Sequence, residues 1–143
     1  MDDVLPNWMS MTNSPDLPTV LVIDDSQPVR DILLALLSRS GYRVAQAADG
    51  EQGIALYRDH HRDISLVLLD VQMPRKSGMT TLTELREINP DVRCLLMTGN
   101  EHKEEVVQAE VAGVVAKPFN PSALLMALEK AGVPPGQLAP TPA

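Results

Sequence analysis

Leu66-Val67-Leu68-Leu69-Asp70-Val71-Gln72-Met73-Pro74-Arg75-Lys76-Ser77-Gly78 is the stretch on which the reading of this chain turns. Four aliphatic residues run without a break into a carboxylate, and a loop shaped by Pro74 and Gly78 follows. A short continuous apolar run bounded by polar or turn residues reads as a strand buried on both faces, as in a parallel sheet. The pattern recurs. Val20-Leu21-Val22-Ile23 runs into Asp24-Asp25, Cys94-Leu95-Leu96-Met97 into Thr98-Gly99, and Gly113-Val114-Val115-Ala116 into Lys117-Pro118. In an open α/β sheet, ligands sit outside the carboxyl ends of the strands. Three acids, a hydroxyl and an ammonium are therefore expected on one edge. Clustered carboxylates repel one another unless a cation joins them, and an oxygen-rich set suits Mg2+.

Outward from these runs, strand and helix alternate. Strands are expected at 19–23, 43–47, 64–69, 93–97 and 114–116. The first helix starts near Ser26, with Pro28 in its first turn, where a missing N–H costs nothing, and stops at Gly41. Val29, Ile32, Leu33, Leu36 and Leu37 fall on one stripe at helical spacing. A second helix follows the Asp49-Gly50 turn to about Asp59, with Ile54 and Ala55 inward. A third spans 78–88 and is closed by Asn89-Pro90. A fourth covers 101–111, and a fifth opens at Pro121 and ends at Gly132. Five strands alternating with five helices demand an α/β doubly wound parallel sheet with helices on both faces. Residues 1–18, with Pro6, Pro15 and Pro18, read as a disordered extension in which Trp8 is incidental. Residues 133–143 read as a proline-rich tail or linker.

Composition narrows the function classes. Hydrophobic residues make up 44% of the 143 residues and aromatics 3%, so the core must be aliphatic. A net charge of −7 argues against direct nucleic-acid binding, which needs a basic stripe. No apolar run approaches the ~18 residues of a membrane span, and the acidic Met1-Asp2-Asp3 start is not a secretory signal. The single cysteine, Cys94, lies inside an apolar run and reads as a buried small hydrophobe. With no disulfide framework, a cytoplasmic setting is expected.

Each strand-end residue has its own chemistry. Asp70 can serve as a covalent nucleophile of the aspartyl-phosphate type, and Mg2+ would reduce its repulsion of an incoming phosphoryl group. Asp24 and Asp25 can reach a metal directly or through water; an Asp pair at this place can also cap a helix. Lys117 can pair with a phosphoryl oxygen, and Thr98 can donate a hydrogen bond to the same group. Lys117-Pro118 is a candidate cis peptide, which only X-Pro bonds form cheaply.

Taken in order, Asp24-Asp25-Ser26, Asp70 to Gly78, Met97-Thr98-Gly99 and Ala116-Lys117-Pro118-Phe119 resemble a CheY-like response-regulator receiver domain of two-component signalling, over about residues 19–132. The resemblance implies a flavodoxin-like (βα)5 fold with strand order 2-1-3-4-5. It implies that Asp70 takes a phosphoryl group from a histidine of a sensor kinase or phosphotransfer protein. Asp24, Asp25, Asp70 and the backbone carbonyl of Gln72 would hold Mg2+. Thr98 and Lys117 would bind the new phosphoryl group, with small Gly99 leaving room. One position departs from the family pattern. Three residues before the lysine, where an aromatic or histidine usually swings inward, this chain has Val114, stiff at χ1 and without a ring.

The expected surfaces follow. Leu34 and Ala35 lie off the first-helix stripe and are docking candidates for a histidine-bearing helical bundle, with Pro74 beside them. Glu101, Lys103, Glu104, Glu105 and Glu110 form either a solvated face or part of a weak homodimer through the fourth helix, fifth strand and fifth helix; Met126 is equally open. The leading reading is a phosphoacceptor signalling module that turns over no external metabolite. It acts as a diffusible adaptor or a phosphorelay intermediate. A second reading is one domain of a hybrid kinase or effector protein. A third is an aspartyl phosphatase, but there the second acid two residues after the nucleophile is Gln72, and a cap domain has no room.

Overall fold

The computed structural model describes residues 17–73, 75–99 and 111–136. These hold β1 (Thr19–Ile23), α1 (Gln27–Arg39), β2 (Arg43–Ala47), α2 (Gly50–His60), β3 (Leu66–Asp70), α3 (Gly78–Ile88), β4 (Cys94–Thr98), β5 (Gly113–Ala116) and α4 (Pro121–Lys130). The strands form one parallel sheet in the order β2-β1-β3-β4-β5, as expected. The helix expected from residue 101 and its charged residues, like Trp8, lie outside the described residues.

Strand alternation divides the aliphatic core into two layers. Val20, Val22, Leu66, Leu68, Leu95 and Met97 face α1 and α4 through Leu33, Leu37, Leu124 and Leu128. Leu21, Ile23, Val67, Leu69, Cys94 and Leu96 face α2 and α3 through Ile54, Tyr57, Leu82 and Leu85. Covered on both faces, the central strands can carry unbroken aliphatic runs. Each such side chain contributes about 2 kcal/mol over its exposed state. Cys94 is buried in this core.

Side-chain caps start the helices. Ser26 accepts from Val29 N–H, Asp49 from Gln52 N–H, Ser77 from Thr80 N–H, and Asn120 from Ser122 and Ala123 N–H. Pro28 and Pro121 occupy first-turn positions where no intrahelical donor is lost. At the far end of α1, Gly41 takes φ 101°, the left-handed conformation that lets the chain turn into β2.

Two helix faces differ from expectation. Ile32 is 57% exposed and Ala55 is exposed. The α1 face centres on Leu33 and Leu37, with Val29, Leu34 and Leu36 on its flanks. One step of 100° carries Ile32 outside that arc. On α2 the inward residues are Gly53, Ile54 and Tyr57, and Ala55 falls on the other side. The strands also shift slightly: β3 runs to Asp70 and β4 to Thr98, so both residues belong to the ladder. Asp70 is paired with Met97 and Thr98 with Ala116. Packed chain reaches beyond residues 19–132, since Leu17 and Val133 are buried. Among the described residues no helix is long and apolar enough to cross a membrane.

Candidate functional site

The carboxyl ends of β1, β3 and β5 bring Asp24, Asp70 and Lys117 into contact. Asp24 is fully buried and held on several sides. One carboxylate oxygen accepts from Ser26 N–H at 2.8 Å and the other from Lys117 Nζ at 2.8 Å. Its main-chain N–H donates to Ala47 and its carbonyl accepts from Arg30 Nη1 at 2.7 Å. Asp70, also buried, accepts from Gln72 N–H at 3.1 Å through Oδ1 and lies 3.2 Å from Lys117 Nζ through Oδ2. Asp25 is exposed at the mouth. Asp24, Asp25 and Asp70 each offer a carboxylate oxygen within 4.8 Å of the others. The helix-capping role open to Asp24 and Asp25 is filled instead by Ser26, which leaves the acids for the site.

Three carboxylates this close, facing a single ammonium, leave excess negative charge that a hard divalent cation fits. Asp70 is pushed up to about 6, by burial and by the neighbouring Asp24 charge, against the opposing pull of Lys117 and the Gln72 amide. Burial alone would lower Lys117, but the hydrogen bond to Asp24 and the charges of both acids outweigh it and hold the ammonium above its ordinary value.

The loop after Asp70 is fixed sterically. Val71 N–H donates to Met97 and Gly78 N–H returns to the Val71 carbonyl. A Cβ at Gly78 would strike the Asp70 carbonyl and the Val71 Cα, both backbone, so only glycine fits. Arg75 adopts φ 68°, and Lys76 ties the loop to α3 through an ion pair with Glu84. Gln72 is exposed on this loop; Pro74 lies outside the described residues.

On the other side, the Thr98 hydroxyl donates to the Gly99 carbonyl at 2.7 Å, and Lys117 N–H donates to the Thr98 carbonyl at 2.9 Å. A Cβ at Gly99 would meet nothing within 4 Å, so the space beside Thr98 does not depend on glycine in this conformation. The Lys117–Pro118 peptide is cis. Val114 is 47% exposed, beside Met126 on α4. On α1, Ala35 is exposed but Leu34 is partly buried against the core, and the large apolar side chain facing solvent is Ile32.

Sequence reading passed over Arg30, whose contact is to a main-chain carbonyl six residues back and leaves no pattern in the sequence. It also passed over the Lys76–Glu84 pair. Ser26 could have been recognised as a cap by its place ahead of Pro28.

Comparison with known proteins gives the same picture. The chemotaxis protein CheY of Thermotoga maritima is 30% identical over 115 residues, 78% of this chain and 94% of that protein. The transcriptional regulatory protein ZraR of Salmonella typhimurium is 39% identical over 115 residues, 78% of this chain but 26% of that protein. Among solved structures, a response regulator receiver domain protein from Clostridium thermocellum superimposes with TM-score 0.77 at 26% identity, over 80% of this chain and 94% of that one. The CheX–CheY–BeF3–Mg2+ complex from Borrelia burgdorferi matches with TM-score 0.75 at 26% identity, over 81% and 90%. The response regulator receiver domain family matches residues 20–129, and with the five-stranded order and the acid edge that family places there, this chain belongs to the response-regulator receiver family.

Proposed function

We propose that Asp70 accepts a phosphoryl group from a phosphohistidine on a sensor kinase or phosphotransfer protein, and that this state controls partner binding or onward phosphorelay. The observation that carries the reading is the contact of buried Asp70 with Lys117 at 3.2 Å inside a three-carboxylate cluster. A carboxylate oxygen of Asp70 forms the new P–O bond as the P–N bond breaks. The imidazole nitrogen leaves with the electron pair of that bond and takes a proton from water. Lys117, already positioned by Asp24, pairs with a phosphoryl oxygen. The Thr98 hydroxyl exchanges its bond to the Gly99 carbonyl for one to the same group. Mg2+, held by Asp24, Asp25, Asp70 and the Gln72 carbonyl, would supply positive charge against which the two anions can approach.

Family membership makes this a signalling domain. That it lacks activity on any external metabolite, with only self-phosphorylation and self-dephosphorylation, is part of the proposal. Val114 offers no ring to move between inside and outside, so phosphotransfer is placed on firmer physical ground than the usual threonine-to-aromatic output. The exposed α1 surface, now centred on Ile32 and Ala35, is proposed as the docking face for the histidine-bearing partner. The span of only 26% of ZraR keeps open the second reading, a receiver within a larger protein.

Incubation with Mg2+ and phosphoramidate, read by intact mass, tests the proposal. One phosphoryl addition is expected, lost in Asp70→Asn and in EDTA. An unmodified mass under conditions where Mg2+ binds would overturn it.

A further inference from the structure

The pole opposite the acids carries a second constructed feature, outside the family match at 20–129. Beyond α4, residues 133–136 do not leave the domain. Gly132 turns the chain at φ 89°, and its carbonyl accepts from Arg93 Nη1 at 3.0 Å. Val133 is buried, with its carbonyl accepting from the buried Tyr42 hydroxyl at 2.8 Å. Gly136 then reaches the α1–β2 corner, where its N–H donates to the Gly41 carbonyl at 2.9 Å.

Donor accounting explains how an irregular segment can lie on the surface without loss. A buried or docked main-chain donor must find a partner. Pro134 and Pro135 have no N–H, so the four residues carry two amide donors. Both are satisfied, Val133 by the Leu128 carbonyl and Gly136 by Gly41. The two prolines also restrict the unfolded chain, so docking the segment loses less entropy.

The contacting residues are small where they must be. A Cβ at Gly41 would strike the Gly136 carbonyl oxygen and approach Pro135 Cβ at 3.0 Å. A Cβ at Gly136 would lie 2.7 Å from Leu17 Cδ2 and 3.2 Å from Pro18 Cδ. Pro18 in turn accepts from Arg43 N–H at the start of β2. Three separate pieces of chain thus meet at one pole: the lead-in to β1, the α1–β2 corner and the segment after α4.

We propose that residues 133–136 are a strap that closes this pole, pinning the lead-in at Leu17–Pro18 and the Gly41–Tyr42 corner to α4. The chain on either side of the domain then departs from one place. That place is a strand length, about 17 Å at 3.3 Å per residue, from the edge bearing Asp24 and Asp70. The two ends of the described chain, at Leu17 and Gly136, therefore lie against each other, away from the acid edge.

The test uses the full chain and chains ending after Gly136 or Gly132, each with and without Gly41→Ala, with Mg2+ binding as the check of folding. Ending after Gly136 should leave Tm within about 1 °C, and ending after Gly132 should lower it by about 5 °C or more. Gly41→Ala should cost more in the full chain than in the chain ending after Gly132, where the alanine methyl no longer meets the strap. In the intact chain the Gly136 amide should exchange at least tenfold more slowly than an unstructured glycine. Exchange at the unstructured rate, or an equal cost of Gly41→Ala in both chains, overturns the strap. Neither readout depends on phosphotransfer at Asp70.

Discussion

Asp24 and Lys117, 93 residues apart in sequence, meet at 2.8 Å, with the carboxylate fully buried and the lysine side chain 27% exposed. The same ammonium lies 3.2 Å from Asp70, so one positive charge bridges two buried acids while part of the lysine side chain stays exposed.

Lys117→Met should leave Asp24 and Asp70 facing each other without a counter-charge. Breaking a buried pair by removing one partner costs about 3 kcal/mol. Urea unfolding in metal-free buffer should register that loss, and saturating Mg2+ should recover part of it. An unchanged midpoint would mean that the pair contributes nothing to folding.

The raised Asp70 carboxyl sets a pH dependence with a definite sign. Its folded value is about 6 against an ordinary 3.8. Between those values the folded chain keeps a proton that the unfolded chain releases, so stability falls as pH rises through about 4 to 6. At 1.36 kcal/mol per unit the whole effect is about 3 kcal/mol. The metal-free protein should therefore unfold at higher urea at pH 5 than at pH 7, relative to Asp70→Asn. Mg2+, which competes with that proton, should bind more tightly at pH 7. Parallel profiles for the two proteins would contradict the assignment.

Gly78 and Gly99 should respond oppositely to alanine. The Gly78 methyl would be driven into the backbone beneath Asp70, at a cost of about 2 kcal/mol, and should weaken Mg2+ binding by displacing the loop. At Gly99 the methyl enters open space and should cost under about 0.5 kcal/mol. Thermal unfolding and Mg2+ titration of the two variants, side by side, decide the matter.

Both tyrosines of the chain are held protonated past their ordinary range. Tyr42 is pushed up to about 12 by burial and the Glu129 charge, and Tyr57 is raised mainly by burial. The unfolded phenol ionises near 10, so Tyr42 favours folding below that pH and the contribution disappears as pH rises through 12. An ultraviolet absorbance titration should show the Tyr42 phenol still largely protonated at pH 10.5 in the folded protein. Half-ionisation of either ring at pH 10 would refute the buried placement.

The sheet and its acid edge were legible because their signals are local. An unbroken aliphatic run ending in Asp24, Asp70 or Lys117 carries strand type, burial and strand end in five residues. Helix faces were less legible, because neighbouring apolar positions such as Ile32 and Leu33 differ only by a rotation that tertiary packing resolves. Pro134, Pro135 and Gly136 read as a tail, because proline and glycine signal an absence of regular structure. Their docking depends on Tyr42 and Gly41, more than ninety residues away. Arg30 escaped for the same reason as any side chain bonded to a main-chain carbonyl: its partner has no residue type.

Cys94, the chain's only cysteine, sits in the core layer facing α2 and α3 with its thiol pushed up to about 12 by burial, against a weaker pull from Arg86. At neutral pH it holds almost no thiolate, the form that oxidants and electrophiles attack. The end of β4 that bears Thr98, four residues along the same strand, therefore has no reactive thiolate beneath it. Disulfide exchange thus finds no ready thiolate in the folded domain, and among the described residues the sulfur that peroxide can reach is the thioether of exposed Met126 on α4, away from the carboxylates.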